Sequence, residues 1–178
     1  MKRSKRLVQT AFCLSAAASL IFTGSVSAQG NPKAPSPNAG KAKNVILFVG
    51  DGMGTAARDA IRLSTVGVNG KLQMDDMPYV GLLRTHSTTT VTDSAAAATA
   101  IASGVKTYNG AVGVDANKKP VKTLLEIAKE KGKSTGLVTT SQITDATPAA
   151  FASHVEDRSK QSDIAKQYLE KKVDVLLG

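Results

Sequence analysis

Apolar residues arrive along this chain in short runs, several of them closed by a glycine. Val45-Ile46-Leu47-Phe48-Val49 is continuous and bounded by Gly50, the pattern of a strand buried on both faces. Gly52 and Gly54 then make a tight turn into a helix predicted from Thr55 to about Leu63. Tyr79 to Thr85 predicts a second strand. Ser94 to Ser103 is rich in alanine and is stopped by Gly104, which predicts a short buried helix. Between Val121 and Lys131 the apolar positions Val121, Leu124, Leu125 and Ala128 have amphipathic helical spacing, closed by Gly132. Ser134 to Thr140 predicts a strand, Pro148 the first position of another helix, and Ile164, Tyr168 and Leu169 one face of a further helix. Val173 to Leu177 predicts the last strand. Strands alternating with helices imply an α/β fold with a parallel sheet covered on both sides. No internal repeat is visible.

The flanks carry other patterns. Basic residues at the start, an apolar stretch from Leu7 to Ile21 and small residues ending in Val26-Ser27-Ala28 read as a secretory signal peptide over 1–28. The chain is therefore expected to be exported, to the periplasm or outside the cell, without a membrane anchor after cleavage. Residues 29–43, with Pro32, Pro35 and Pro37, read as a flexible linker, so folded structure is expected from 44 to 178. At the other end, Val173 to Gly178 stops at the C-terminal edge of a strand, where open α/β sheets place their ligand crevice. The expectation is that this chain is a fragment of a longer domain.

Composition narrows the classes. Of 178 residues, 42% are hydrophobic, enough for a core and against a wholly disordered chain. The net charge of +9 resembles a nucleic-acid signal, but Lys2, Arg3, Lys5 and Arg6 lie in the signal segment, and removing those four leaves +5. Several remaining lysines, among them Lys129 and Lys131, sit close to Glu126 and Glu130 as on solvated helix faces, so no nucleic-acid-specific binding is expected. The one cysteine, Cys13, also lies in the signal segment, which leaves no thiolate for catalysis or metal binding.

Three places carry candidate chemistry. Asp51, in Gly50-Asp51-Gly52-Met53-Gly54, follows the first strand, where a carboxylate points into the crevice and suits a hard cation. Gly52-x-Gly54-x-x-Ala57 also fits a dinucleotide fingerprint, although Asp51 would set negative charge beside the pyrophosphate, and Asp-Gly is common in plain turns. Ser94, in Thr92-Asp93-Ser94-Ala95-Ala96-Ala97, begins the alanine helix. Taken alone it is explained by capping, but a hydroxyl at a helix N-terminus is also placed to meet a phosphate. Asp145 and Thr147, two apart beyond a strand, offer oxygens to one cation, and an Asp-x-Thr-Pro start is equally ordinary capping. Arg158 follows near the end of that helix, with a guanidinium able to hold two phosphate oxygens or simply to lie on the surface. His86 and His154, the two histidines, have no evident partners, which gives a Ser-His-Asp triad little support.

Together the blocks Val45 to Gly54, Thr92 to Ala97, Gly104-Val105-Lys106-Thr107 and Asp145-Ala146-Thr147-Pro148-Ala149-Ala150 resemble alkaline phosphatases, in order, over about Asn44 to Gly178. The resemblance implies a three-layer α/β fold whose central, mostly parallel sheet is flanked by helices, here incomplete. It implies hydrolysis of phosphate monoesters by a homodimer with two Zn²⁺ and one Mg²⁺ per site. Ser94 would be the phosphorylated nucleophile and touch zinc, and Asp51 would bridge zinc and magnesium. Thr147 would ligate magnesium, with Asp145 holding it directly or through water. Arg158 would bind the phosphoryl oxygens, oriented by Asp93. His154 receives no role beyond a structural one. Three further histidines and more carboxylates would complete the zinc sites, so this polypeptide alone is expected to be inactive. The alternatives are a phosphodiesterase or sulfatase of the same superfamily, although the sulfatase Cys/Ser-x-Pro-x-Arg run is absent around Ser94. A non-catalytic exported phosphate-binding remnant is the reading from a different class.

Overall fold

The computed structural model describes residues 42–178. The signal peptide, Cys13 and nearly all of the proline-rich linker lie outside the described residues. The elements in order are α1 (Thr55–Val66), a 3-10 turn (Gln73–Asp76), α2 (Ser94–Ser103), α3 (Leu124–Glu130), β1 (Gly136–Val138), α4 (Ala146–Ala152), α5 (Gln161–Glu170) and β2 (Val175–Leu177). The two strands run parallel, pairing Gly136 with Val175, Leu137 with Leu176 and Val138 with Leu177. This is the α/β arrangement expected, with part of its sheet.

Local chemistry sets the helix limits. The Asp93 carboxylate accepts from Ala96 N at 2.9 Å and starts α2, and Gly104, at φ 73°, ends it in the left-handed conformation. In between, alanine gives the highest helix propensity at no side-chain entropy cost. Helix α3 starts at Leu124, later than the apolar spacing suggests, because Thr123 and Glu126 form a reciprocal capping box: Thr123 N donates to Glu126 Oε2 (2.9 Å) and Glu126 N to Thr123 Oγ1 (3.2 Å). Helix α4 starts on an Asp145 cap, which makes Pro148 its third residue rather than its first. That position is tolerated because the first four amides of a helix have no intrahelical acceptor.

The core lies where α2 and α4 meet. Ala95 and Ala98 of α2 pack with Ala146, Ala149, Ala150 and Ala152 of α4, extended by Val112, Leu137, Val155, Ile164 and Tyr168. These are small side chains, so the two helices approach through methyl groups. Tyr168 is buried from α5, and its hydroxyl donates to Ile143 O at 2.9 Å. Burial, with a lesser contribution from the Asp145 charge, pushes its phenol well above the ordinary value. Asp174 closes the sheet start: its carboxylate accepts from Lys129 Nζ and Thr135 N, both at 2.7 Å. The lysine first, then the amide, holds it down to about 2.

Four expectations are corrected. Residues 45–49 pair with no strand among the described residues, and Val45 and Phe48 stand 84% and 90% exposed. Residues 79–85 are likewise unpaired, with Leu82 fully open. An apolar run signals a wish to be buried, but a strand exists only through its neighbour's hydrogen bonds. Leu169 points outward, because the buried stripe of α5 is the i, i+4 pair Ile164 and Tyr168. Leu124, at the capped start of α3, is exposed as well. Among the described residues, no helix is long and apolar enough to cross a membrane.

Candidate functional site

The turn between Gly50 and Gly54 brings Asp51 to the starts of α2 and α4. Gly52 takes φ 66°, a conformation that glycine adopts without strain, and Met53 N donates back to Gly50 O at 3.1 Å. Asp51 then accepts two hydroxyl hydrogen bonds, one on each carboxylate oxygen. Ser94 Oγ donates to Oδ1 at 2.9 Å, and Thr147 Oγ1 to Oδ2 at 2.6 Å. These residues are 43 and 96 positions from Asp51 in the chain. Their convergence is a product of the fold, since the alanine contact sets the two helices side by side.

Beside this oxygen cluster lies a charged one. Arg158 Nη2 donates to Asp145 Oδ1 at 2.6 Å and Nη1 reaches Asp93 Oδ2 at 3.5 Å. Its backbone N–H donates to Gly110 O at 2.8 Å, and Gly110 N in turn donates to Asp93 Oδ2 at 2.9 Å. Asp93 N is held by Asn109 Oδ1 at 3.2 Å, so the Asn109-Gly110 turn joins both residues. Arg158 sits six residues past the end of α4, in an irregular segment rather than near the helix end as expected. Partial burial works against its charge, but the Asp145 hydrogen bond and the Asp145 and Asp93 charges raise its pKa further.

Asp145 faces Arg158. Its Oδ1 also accepts from Ala146 N at 2.7 Å, and its Oδ2 from Ser141 Oγ at 3.0 Å. The Ala146 amide first, then Arg158 and Ser141, hold its carboxyl below the usual range against some desolvation. All six residues singled out from the sequence therefore fall in one region: Asp51, Ser94 and Thr147 in the oxygen cluster, and Asp93, Asp145 and Arg158 in the charged one. Asn109, Gly110 and Ser141 were not singled out. An Asn-Gly pair is a turn signal, so that part was readable.

A cation's fit can be judged from the donors. Asp51, Ser94 and Thr147 offer only oxygen, which suits a hard ion such as Mg²⁺. Zinc sites are usually built with imidazole or thiolate. Among the described residues no group of three or more His, Cys, Asp or Glu is gathered to hold a metal. His86 is exposed, and the ring of His154 turns away to Gly113 O and Glu126. The oxygen set thus fits one hard cation, and two zinc ions would require further ligands.

Residues 42–178 match the family model described as alkaline phosphatase. Alkaline phosphatase 4 of Bacillus subtilis (strain 168) is 46% identical over 173 residues, covering 89% of this chain and 37% of that protein. Streptomycin-6-phosphate phosphatase of Streptomyces griseus is 41% identical over 77% of this chain and 36% of its own length. The chain thus spans little more than a third of these relatives. Among solved structures, a cold-active alkaline phosphatase from a psychrophilic Shewanella species superposes with a TM-score of 0.66 at 44% identity, covering 73% of this chain and 34% of that one. A histidine-to-aspartate variant of the alkaline phosphatase TAB5, described with Mg bound in its M3 site, gives 0.59 at 40% identity, over 64% of this chain and 33% of that one.

Proposed function

The chain belongs to the alkaline phosphatase family, and from that premise we propose that the full-length protein hydrolyses phosphate monoesters through a phosphoserine at Ser94. The observation that carries this reading is the pair of hydroxyls on Asp51, with Arg158 close by. Asp51 Oδ1 holds the Ser94 proton and so turns an oxygen lone pair toward an incoming phosphorus. Attack forms the Ser94 Oγ–P bond as the P–O bond to the alcohol breaks, and the alcohol departs with a proton. Water then splits the phosphoserine, returning the Ser94 hydroxyl and inorganic phosphate. Arg158 binds two phosphoryl oxygens, held in place by Asp93, and the N-terminal amides of α2 favour the same negative charge. Thr147 and Asp51, with Asp145 directly or through water, would hold Mg²⁺, and Asp51 and Ser94 would each offer an oxygen to zinc. Bound divalent cations would supply the Lewis-acid charge that favours an ionised serine and neutralises phosphate.

The Arg158 guanidinium is engaged by Asp145. Phosphate binding therefore requires Arg158 to exchange at least part of that ion pair for phosphoryl oxygens. Export by the segment 1–28 and homodimer assembly belong to the same proposal. A polypeptide ending at Gly178 is expected to show no zinc-dependent turnover. A diesterase is disfavoured by a relative named for a phosphate monoester, streptomycin-6-phosphate. The test is to quench the full-length protein with acid during turnover of an aryl phosphate and map the phosphoryl group. It should lie on the peptide carrying Ser94 and vanish in Ser94→Ala together with turnover. Undiminished turnover in Ser94→Ala would sink the proposal, and phosphate binding without any turnover by the unaltered protein would favour the non-catalytic remnant.

A further inference from the structure

His154 has no part in the chemistry above, yet it makes more specific contacts than a space-filling histidine needs. Its Nδ1 lies 2.6 Å from Gly113 O and its Nε2 2.7 Å from Glu126 Oε1. Its backbone N–H donates to Gln167 Oε1 at 2.7 Å, and Gln167 Nε2 donates back to His154 O at 3.1 Å. Both ring nitrogens face acceptors, a backbone carbonyl and a carboxylate.

The Gly113 contact is the informative one. Gly113 has φ 61°, and a Cβ there would stand 2.0 Å from Ser153 O and 2.8 Å from His154 Nδ1. Only glycine allows the two backbones to come this close. From that point residues 110–113 run antiparallel to 154–158. Val112 N donates to Val155 O at 3.0 Å, Val155 N to Val112 O at 2.9 Å, and Arg158 N to Gly110 O at 2.8 Å. The same loop is tied to α2 by buried Thr99, whose hydroxyl donates to Ala111 O at 3.1 Å and accepts from Gly113 N at 2.9 Å. Residues 110–113 thus form a bracket between the helix bearing Ser94 and the segment bearing Arg158. One end of the bracket is latched by His154, and the other grips Arg158 N and, through Gly110 N, the Asp93 carboxylate.

We propose that His154 is a positioning residue for the phosphate site: its Nδ1 bond to Gly113 O fixes the register of the bracket, and so the place of Arg158 relative to Ser94. This rests on the reading of Arg158 as the phosphate-binding group. The bond to Glu126 serves a different purpose, the anchoring of α3.

Two substitutions separate the two bonds. An asparagine amide reaches where Nδ1 sits, and a glutamine amide where Nε2 sits. In the full-length protein, His154→Asn is expected to hold inorganic phosphate within about twofold of the unaltered affinity. His154→Gln is expected to weaken phosphate binding and raise KM about tenfold, the scale of one misplaced charge-assisted hydrogen bond, with a smaller change in kcat. Amide hydrogen exchange at Val155 and Arg158 should accelerate in His154→Gln and not in His154→Asn, a readout independent of activity. Equal effects of the two variants on phosphate affinity, or none from either, would overturn the proposal, whatever they do to stability. If the unaltered protein binds no phosphate, the functional reading itself has failed and this one falls with it.

Discussion

Replacing Glu126 by alanine tests how this fold is held together away from its chemistry. Glu126 closes the α3 capping box on Thr123 N at 2.9 Å, and its other oxygen accepts from Lys171 Nζ at 2.6 Å and faces His154 Nε2 at 2.7 Å. Its side chain is 19% exposed, which puts these bonds above the surface pairs that contribute little. Loss of the cap costs about 1 kcal/mol. Two charge-assisted donors left without their acceptor add more, although Lys171 can turn to water, so the total is about 2–3 kcal/mol. Against the usual stability of about 5–15 kcal/mol, that is a large share. Urea unfolding of Glu126→Ala and the unaltered protein measures it. Burial alone would raise this carboxyl, but Lys171, the Thr123 amide and His154 outweigh it and hold it down to about 2, against 4.5 ordinarily. The contribution is therefore complete above the unfolded value and is lost as pH falls from about 4.5 to about 2. The gap between the two proteins should narrow across that window. A loss below about 0.5 kcal/mol at neutral pH, or a gap that stays constant in acid, would refute the reasoning.

Two further outcomes follow from the same geometry. Asp51→Asn removes the carboxylate that both hydroxyls address, and should weaken Mg²⁺ binding at least about tenfold by titration calorimetry, because hard cations need the charge; unchanged affinity would place the cation elsewhere. Ala149→Leu inserts bulk where α4 meets α2 and should cost about 1–3 kcal/mol in thermal or urea unfolding while slowing the proposed phosphorylation of Ser94; full retention of both would contradict a fixed spacing between the helices.

The readable parts of this sequence were those with local causes. Helix α2 runs from Ser94 to Ser103 as expected, because a cap, an alanine run and a terminating glycine are all written within twelve positions. The strands were legible only in part. Residues 134–140 and 173–177 find each other, whereas 45–49 and 79–85 carry the same apolar signal without a neighbour among the described residues. The motif blocks picked out candidate residues that the fold brings close together, but the pairing of Arg158 with Asp145 was not legible, since spacing says nothing about which of several nearby partners a guanidinium chooses. Nor could His154 have been interpreted: Gly113 and Glu126 are 41 and 28 residues away, and no local pattern links them.

The alanine contact between α2 and α4 has a dynamic consequence. Longer side chains in a helix interface can switch rotamers and so take up small relative movements of the backbones. Alanine has no such freedom. Any sliding or separation of these two helices must therefore pass undamped to their first residues, changing the distance between Ser94 and Thr147 by a similar amount. The hydroxyls on Asp51 behave as the jaws of a rigid gauge, whose accuracy depends on how tightly the methyl groups behind them are packed.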